Sequence, residues 1–201
     1  MSNMQKRLAE SKEKLHVALR MQTGMKLILG ISSSIAAYKS YDLARLFVKN
    51  GDSVYTVVTK NSLNIISPLV FETLTGNPCY HDSFVHERRE MGHISLKENV
   101  GLFLICPATA NVIGKMANGI ADDLLTTTYL SVTCPVIVAP SMNPAMYAHI
   151  AVQENIERLM KRGVHIIEPY EGRVVCGDSG KGKLADITEI YNKVIDVVKN
   201  S

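Results

Sequence analysis

The feature that most constrains this chain is an alternation. Short, nearly continuous apolar runs are separated by longer stretches whose apolar residues recur at helical spacing. Lys26–Ile31, Ser53–Val58, Val100–Cys106, Val136–Ala139 and Val164–Ile167 are the runs, and each is too short for a helix. Ile35–Val48, Ala145–Arg162 and Asp186–Asn200 carry the helical pattern, the last with Ile187, Ile190, Tyr191, Val194 and Val198 on one side. Strands that are apolar throughout, not at every second residue, are buried on both faces. Five of them alternating with helices predict an α/β protein with a Rossmann-like or flavodoxin-like parallel sheet and helices on both faces. In such sheets ligands bind beyond the carboxyl ends of the strands, so the informative residues should follow the runs.

Composition narrows the class. The 201 residues are 46% apolar and 20% charged, which suits one soluble domain. No apolar run approaches the ~20 residues of a membrane span, and the amino terminus lacks a secretory signal. The net charge of +3 is carried by residues 1–24; the rest of the chain holds 17 charges of each sign. The basic excess therefore marks no nucleic-acid face. Residues 1–24, with a thin stripe at Met4, Leu8, Leu15 and Leu19, read as a separate extension or leader, and 25–201 as the domain. Glu10 and Glu13 argue against a mitochondrial presequence. Cys79, Cys106, Cys134 and Cys176 form no CxxC pair and read as reduced thiols of a cytoplasmic protein.

Polar residues follow each strand. Gly30-Ile31-Ser32-Ser33-Ser34-Ile35 offers small residues and hydroxyls that suit either a phosphate or a helix cap. Thr59-Lys60-Asn61-Ser62 suits a ligand or a polar turn. Thr109-Ala110-Asn111-Val112 can meet the polar edge of a flat ring, or simply start a helix, and Asp122-Asp123 can cap the next. In Ser141-Met142-Asn143-Pro144-Ala145-Met146-Tyr147 two soft methionines bracket a carboxamide. His81, His86 and His93 match no common metal spacing, so no metal is expected and a lone His93 suits a base. Arg173–Lys183 places Cys176 among Arg173, Lys181 and Lys183, with Gly177, Gly180 and Gly182. It reads as a flexible glycine-rich lid in which the cations favour a thiolate.

Taken together these segments resemble the homo-oligomeric flavin-containing cysteine decarboxylases, from about Met25 to about Ile187. His93 and Cys176-Gly177-Asp178 point to the branch acting on phosphopantothenoylcysteine in coenzyme A biosynthesis. The resemblance implies FMN, held by Ser33, Ser34 and Ile35, by Thr59, Asn61 and Ser62, by Thr109 to Val112, and near Ser141. It implies that Asn143 holds the substrate, that Arg173, Val174 and Val175 are lid contacts, that His93 is the catalytic base and that Cys176 donates a proton. It further implies a small-molecule substrate, a homotrimer or multiple of one, and no nucleic-acid or membrane partner. A stand-alone decarboxylase is expected, since the synthetase domain fused in many bacterial members is not within these residues. Ser33, Val112, Tyr147 and Lys183 depart from the usual glycine, threonine, tryptophan and arginine, and Ser33 bears most on flavin packing. A peptidyl-cysteine decarboxylase, a flavin prenyltransferase and a non-catalytic flavin-binding regulator are the competing readings. The lid cysteine argues against the first, His93 and Asn143 against the second, and all three residues together against the third.

Overall fold

The computed structural model describes residues 24–81, 98–173 and 177–200. At its centre is a six-stranded, all-parallel sheet of β1 (Lys26–Ile31), β2 (Ser53–Val58), β3 (Cys79–Tyr80), β4 (Leu102–Ala108), β5 (Val136–Pro140) and β6 (His165–Ile166). The spatial order is β3-β2-β1-β4-β5-β6. The chain winds outward through β2 and β3, then returns to lay β4 against the other edge of β1. That reversal opens a crevice between the carboxyl ends of β1 and β4, where doubly wound sheets bind their ligands.

The strands are apolar throughout because both faces are covered. Leu27, Leu29 and Ile31 of β1 join one core with Leu43, Ala44 and Phe47 of α1 (Ser40–Lys49), Phe71 of α2 (Pro68–Thr75) and, further along the chain, Ile190 and Val194 of the final helix. Ile28 points the other way. It joins a second core with Val112, Ile113 and Met116 of α3 (Ala110–Asn118), Leu124 and Leu125 of α4 (Leu124–Ser131) and, beyond a short α5 (Pro144–Ala148), Ile156 and Leu159 of α6 (Ile150–Lys161). The final helix, α7 (Ile187–Asn200), starts where Asp186 Oδ1 accepts the Thr188 N–H. Asp123 caps α4 in the same way, accepting the Thr126 N–H at 2.8 Å while pairing with Lys115.

Six strands stand where five were expected: β3, only two residues long, is too short for a periodic signal. A second departure is larger. The glycine-rich stretch expected as a flexible lid is built on an antiparallel hairpin of β7 (Tyr170–Arg173) and β8 (Ser179–Lys183). Gly182 is buried in it, and a Cβ there would lie 2.5 Å from the Met142 carbonyl oxygen and 3.2 Å from Pro144 N. Glycine at 182 thus permits close packing on the segment that follows β5. Gly30 has a similar explanation. A Cβ would meet Leu125 Cδ1 and a Phe103 ring carbon at 3.2 Å, so its smallness admits core side chains and not a ligand.

Candidate active site

The carboxyl edge of the sheet is knitted by hydroxyls. Ser32, directly after β1, is 1% exposed. Its Oγ donates to the Pro107 carbonyl and accepts the Thr109 N–H, both at 2.8 Å. One small side chain thereby fixes the two strand ends that form the crevice. Next to it, Ser34 caps a 3-10 turn (Ile35–Lys39) by accepting the Ala36 N–H, and its Oγ lies 2.9 Å from Ser141 Oγ beyond β5. After β2, Thr59 Oγ1 and Ser62 Oγ are 2.6 Å apart, and Ser62 donates to the Ile31 carbonyl at 3.1 Å. Thr109 starts α3, accepting the Val112 N–H at 3.5 Å.

The residues expected to hold a cofactor therefore gather at one end of four strands. Ser33, Ile35, Asn61 and Asn111 are exposed there, Thr109 and Ala110 are half-buried, and Ser34, Ser62 and Ser141 are buried. Val112 differs: its side chain lies in the core beneath α3. Ser32, which the sequence reading passed over in favour of its two neighbours, does most to hold the crevice together. Its signal was position alone, the first hydroxyl beyond the strand at the point of reversal.

Asn143 caps α5, its Oδ1 accepting the Ala145 N–H at 2.8 Å, while its Nδ2 donates to Asp178 Oδ2 in the hairpin. The Met142 N–H donates to the Gly182 carbonyl at 3.0 Å. Below them, Glu168 Oε2 takes both the Lys181 ammonium at 2.6 Å and the Tyr147 hydroxyl at 2.8 Å. The Lys181 hydrogen bond is the main reason the Glu168 carboxyl sits below the usual range; burial opposes the shift, and Tyr147 adds to it. Burial, then Glu168, pushes the Tyr147 phenol far up. Lys181, expected to favour a thiolate at Cys176, is thus committed to Glu168 and lies 5.7 Å from the Tyr147 ring centroid. His93, Val174, Val175 and Cys176 lie outside the described residues, as does His86, and of Arg173 only the backbone in β7 is described. Among the described thiols, burial raises Cys106 to about 12 and both Cys79 and Cys134 to about 11, so none of the three is a ready nucleophile.

A hydroxyl-lined switch point in a doubly wound sheet, with a helix starting in it, is where proteins of this architecture bind phosphorylated cofactors. The chain belongs to the Flavoprotein family, whose model matches residues 16–199. It is 42% identical over 167 residues to the coenzyme A biosynthesis bifunctional protein CoaBC of Bacillus subtilis, covering 83% of this chain and 41% of that protein. The chain spans less than half the length of the curated relatives it matches. Among solved structures it is similar to a cysteine-to-serine variant of PPC decarboxylase complexed with pantothenoylaminoethenethiol, with a TM-score of 0.80 and 30% identity over 89% of this chain and all of that one. It is also similar to the FMN-dependent cysteine decarboxylase SpaF, with a TM-score of 0.74 and 31% identity over 88% of this chain and 98% of that one. Among the described residues no helix is long and apolar enough to cross a membrane.

Proposed function

We propose that this chain is a cytoplasmic, FMN-dependent decarboxylase that converts phosphopantothenoylcysteine to phosphopantetheine in coenzyme A biosynthesis. The observation that carries the reading is the crevice at the β1–β4 switch point, with Asn143 set beside it and bound to the hairpin that continues from Cys176. The similarity to PPC decarboxylase across its whole length supports the substrate. The similarity to SpaF supports FMN, and a similarity to the peptidyl-cysteine decarboxylase EpiD, with a TM-score of 0.74 and 27% identity over 85% of this chain and 98% of that one, favours, as a second reading, action on the cysteine of a peptide.

The residues present fit FMN. Ser34 and Ser141 share one hydrogen bond, so one of the two O–H groups is left to donate to a bound group. The first N–H groups of α3, at Ala110 and Asn111, lack intrahelical acceptors by the geometry of any helix start, and they suit phosphate or a polar ring edge. Ser33, Ser34, Ile35, Thr59, Asn61, Ser62, Thr109, Ala110, Asn111, Val112 and Ser141 would hold the cofactor. FMN supplies, when bound, a reversible hydride acceptor, so that the thiol-bearing carbon can become a thioaldehyde and act as the electron sink that a cysteine carboxylate lacks.

The chain's own groups do the rest. Asn143 orients the substrate by its carboxylate and amide, and Arg173, Val174 and Val175 contact it from the lid. His93, an imidazole that titrates near neutrality, takes the proton from the thiol. After CO2 leaves, Cys176 delivers a proton to the carbon that lost it, the complement of the hydride that bound FMN would give back to the thiol-bearing carbon, so the enethiol becomes the aminothiol with no net redox change. Assembly is a homotrimer or a multiple of one with sites near subunit boundaries. Ile35 and Tyr38 after β1, and Leu63 and Ile65 after β2, support this as apolar side chains left 58%, 57%, 36% and 37% exposed at the crevice edge.

A single turnover of the Cys176→Ser variant tests the scheme. The expected product is the enethiol, lighter by two hydrogens than the normal aminothiol, because a serine hydroxyl is far less acidic than a thiol. Formation of the normal aminothiol at full rate refutes the role of Cys176. A purified protein whose spectrum lacks flavin bands, and still lacks them after FMN is added and the unbound excess removed, refutes the cofactor.

A further inference from the structure

The carboxamide of Asn143 has two chemically different ends, and reversing it exchanges them. Its oxygen accepts the Ala145 N–H at 2.8 Å, and its nitrogen donates to Asp178 Oδ2. Turned over, the amide would set N–H against N–H at Ala145 and oxygen against a carboxylate at Asp178. An ionised carboxylate only accepts, so both contacts would become repulsive. Among the described residues, Asp178 and the Ala145 N–H both specify which way the amide points, and the latter is backbone that every helix start possesses. A carboxylate in this place is a choice that capping alone does not require.

The strand that follows Asp178, β8, is held independently of this bond. The Met142 N–H donates to the Gly182 carbonyl at 3.0 Å, and a Cβ on Gly180 would lie 2.9 Å from Pro144 Cβ. Lys181, Glu168 and Tyr147 tie the same strand to the base of α5. The carboxylate thus reaches Asn143 from the residue that enters a strand already seated.

We propose that Asp178 is a positioning residue: by accepting the Asn143 Nδ2–H it orients that carboxamide and couples it to the hairpin. The inference rests on the reading of Asn143 as the substrate-holding residue. Asp178 does not itself meet the substrate. It acts through Asn143, so its worth should vanish when Asn143 has no amide to orient.

The test is a double-substitution cycle on the full chain, using phosphopantothenoylcysteine with bound FMN measured in each sample. Asp178→Ala should lower kcat/KM by at least about tenfold, as misplacement of a substrate-holding group does, and leave the flavin content unchanged. Asp178→Asn keeps an acceptor oxygen and should restore most of the loss. In an Asn143→Ala background, Asp178→Ala should cost nothing more. Equal losses with and without the Asn143 amide, or a fully active Asp178→Ala, overturn the proposal. If the unaltered protein leaves this substrate untouched, it is the functional reading that fails. The same cycle is then read in thermal unfolding: non-additive shifts uphold the Asn143–Asp178 contact, and additive shifts overturn it.

Discussion

At the scale of single residues, the site is organised by side chains too small to announce themselves. Ser32 is the clearest case. Its hydroxyl is buried and meets both Pro107 O and Thr109 N, so Ser32→Ala strands the Thr109 N–H and leaves the Pro107 carbonyl only the Ser32 backbone N–H at 3.2 Å. Unpaired buried groups cost about 1–3 kcal/mol each. We predict that Ser32→Ala lowers stability in urea by at least the lower of these values and weakens FMN retention, and a variant matching the parent in both would remove Ser32 from the account. The sequence made Ser33, Ser34 and Thr109 legible as candidates, because hydroxyls after a strand are a recognisable pattern. It could not say which hydroxyl spans the crevice, since that depends on β4 lying 75 residues away in the chain. The pairing of Asp178 was hidden for the same reason: its partner Asn143 is 35 residues distant.

At the scale of elements, the hairpin was the least legible part. β1 and β2 were read to the residue because apolar runs bounded by serine, glycine and polar turns leave little freedom. The β7–β8 hairpin carries glycines and charges and no apolar alternation. It is a strand pair because it packs on the segment after β5, a tertiary cause with no local trace. Gly182→Ala should displace β8, given the 2.5 Å approach to Met142 O. The expected result is a large loss of decarboxylation with FMN still bound, and undiminished activity would show that the docking is dispensable. The Glu168 contact adds a pH dependence. Its folded pKa is depressed, chiefly by Lys181, so its contribution is complete above the unfolded carboxylate value, ~4.3, and fades as pH falls through the lower folded value. Melting temperatures of the parent and Glu168→Gln should therefore differ at pH 7 and converge below about pH 4. A gap that stays constant across that range would contradict the assignment.

At the scale of the whole molecule, the sheet order places the candidate cofactor contacts, the core side chain of Val112 excepted, at one carboxyl edge, as the alternation of runs and helices led one to expect. What the sequence could not convey was assembly, because no heptad or repeated apolar face records it; the exposed Ile35, Tyr38, Leu63 and Ile65 became visible only in three dimensions. Light scattering at micromolar concentration should give a trimer or a multiple of one, and a monomer would refute that part of the reading. The central claim is the identity of the reaction, and one competition measures it. The FMN-loaded protein is offered phosphopantothenoylcysteine and a peptide ending in cysteine together, and the products are weighed. The account predicts that the first loses the mass of carbon dioxide and the peptide stays intact. Decarboxylation of the peptide with phosphopantothenoylcysteine untouched would contradict it.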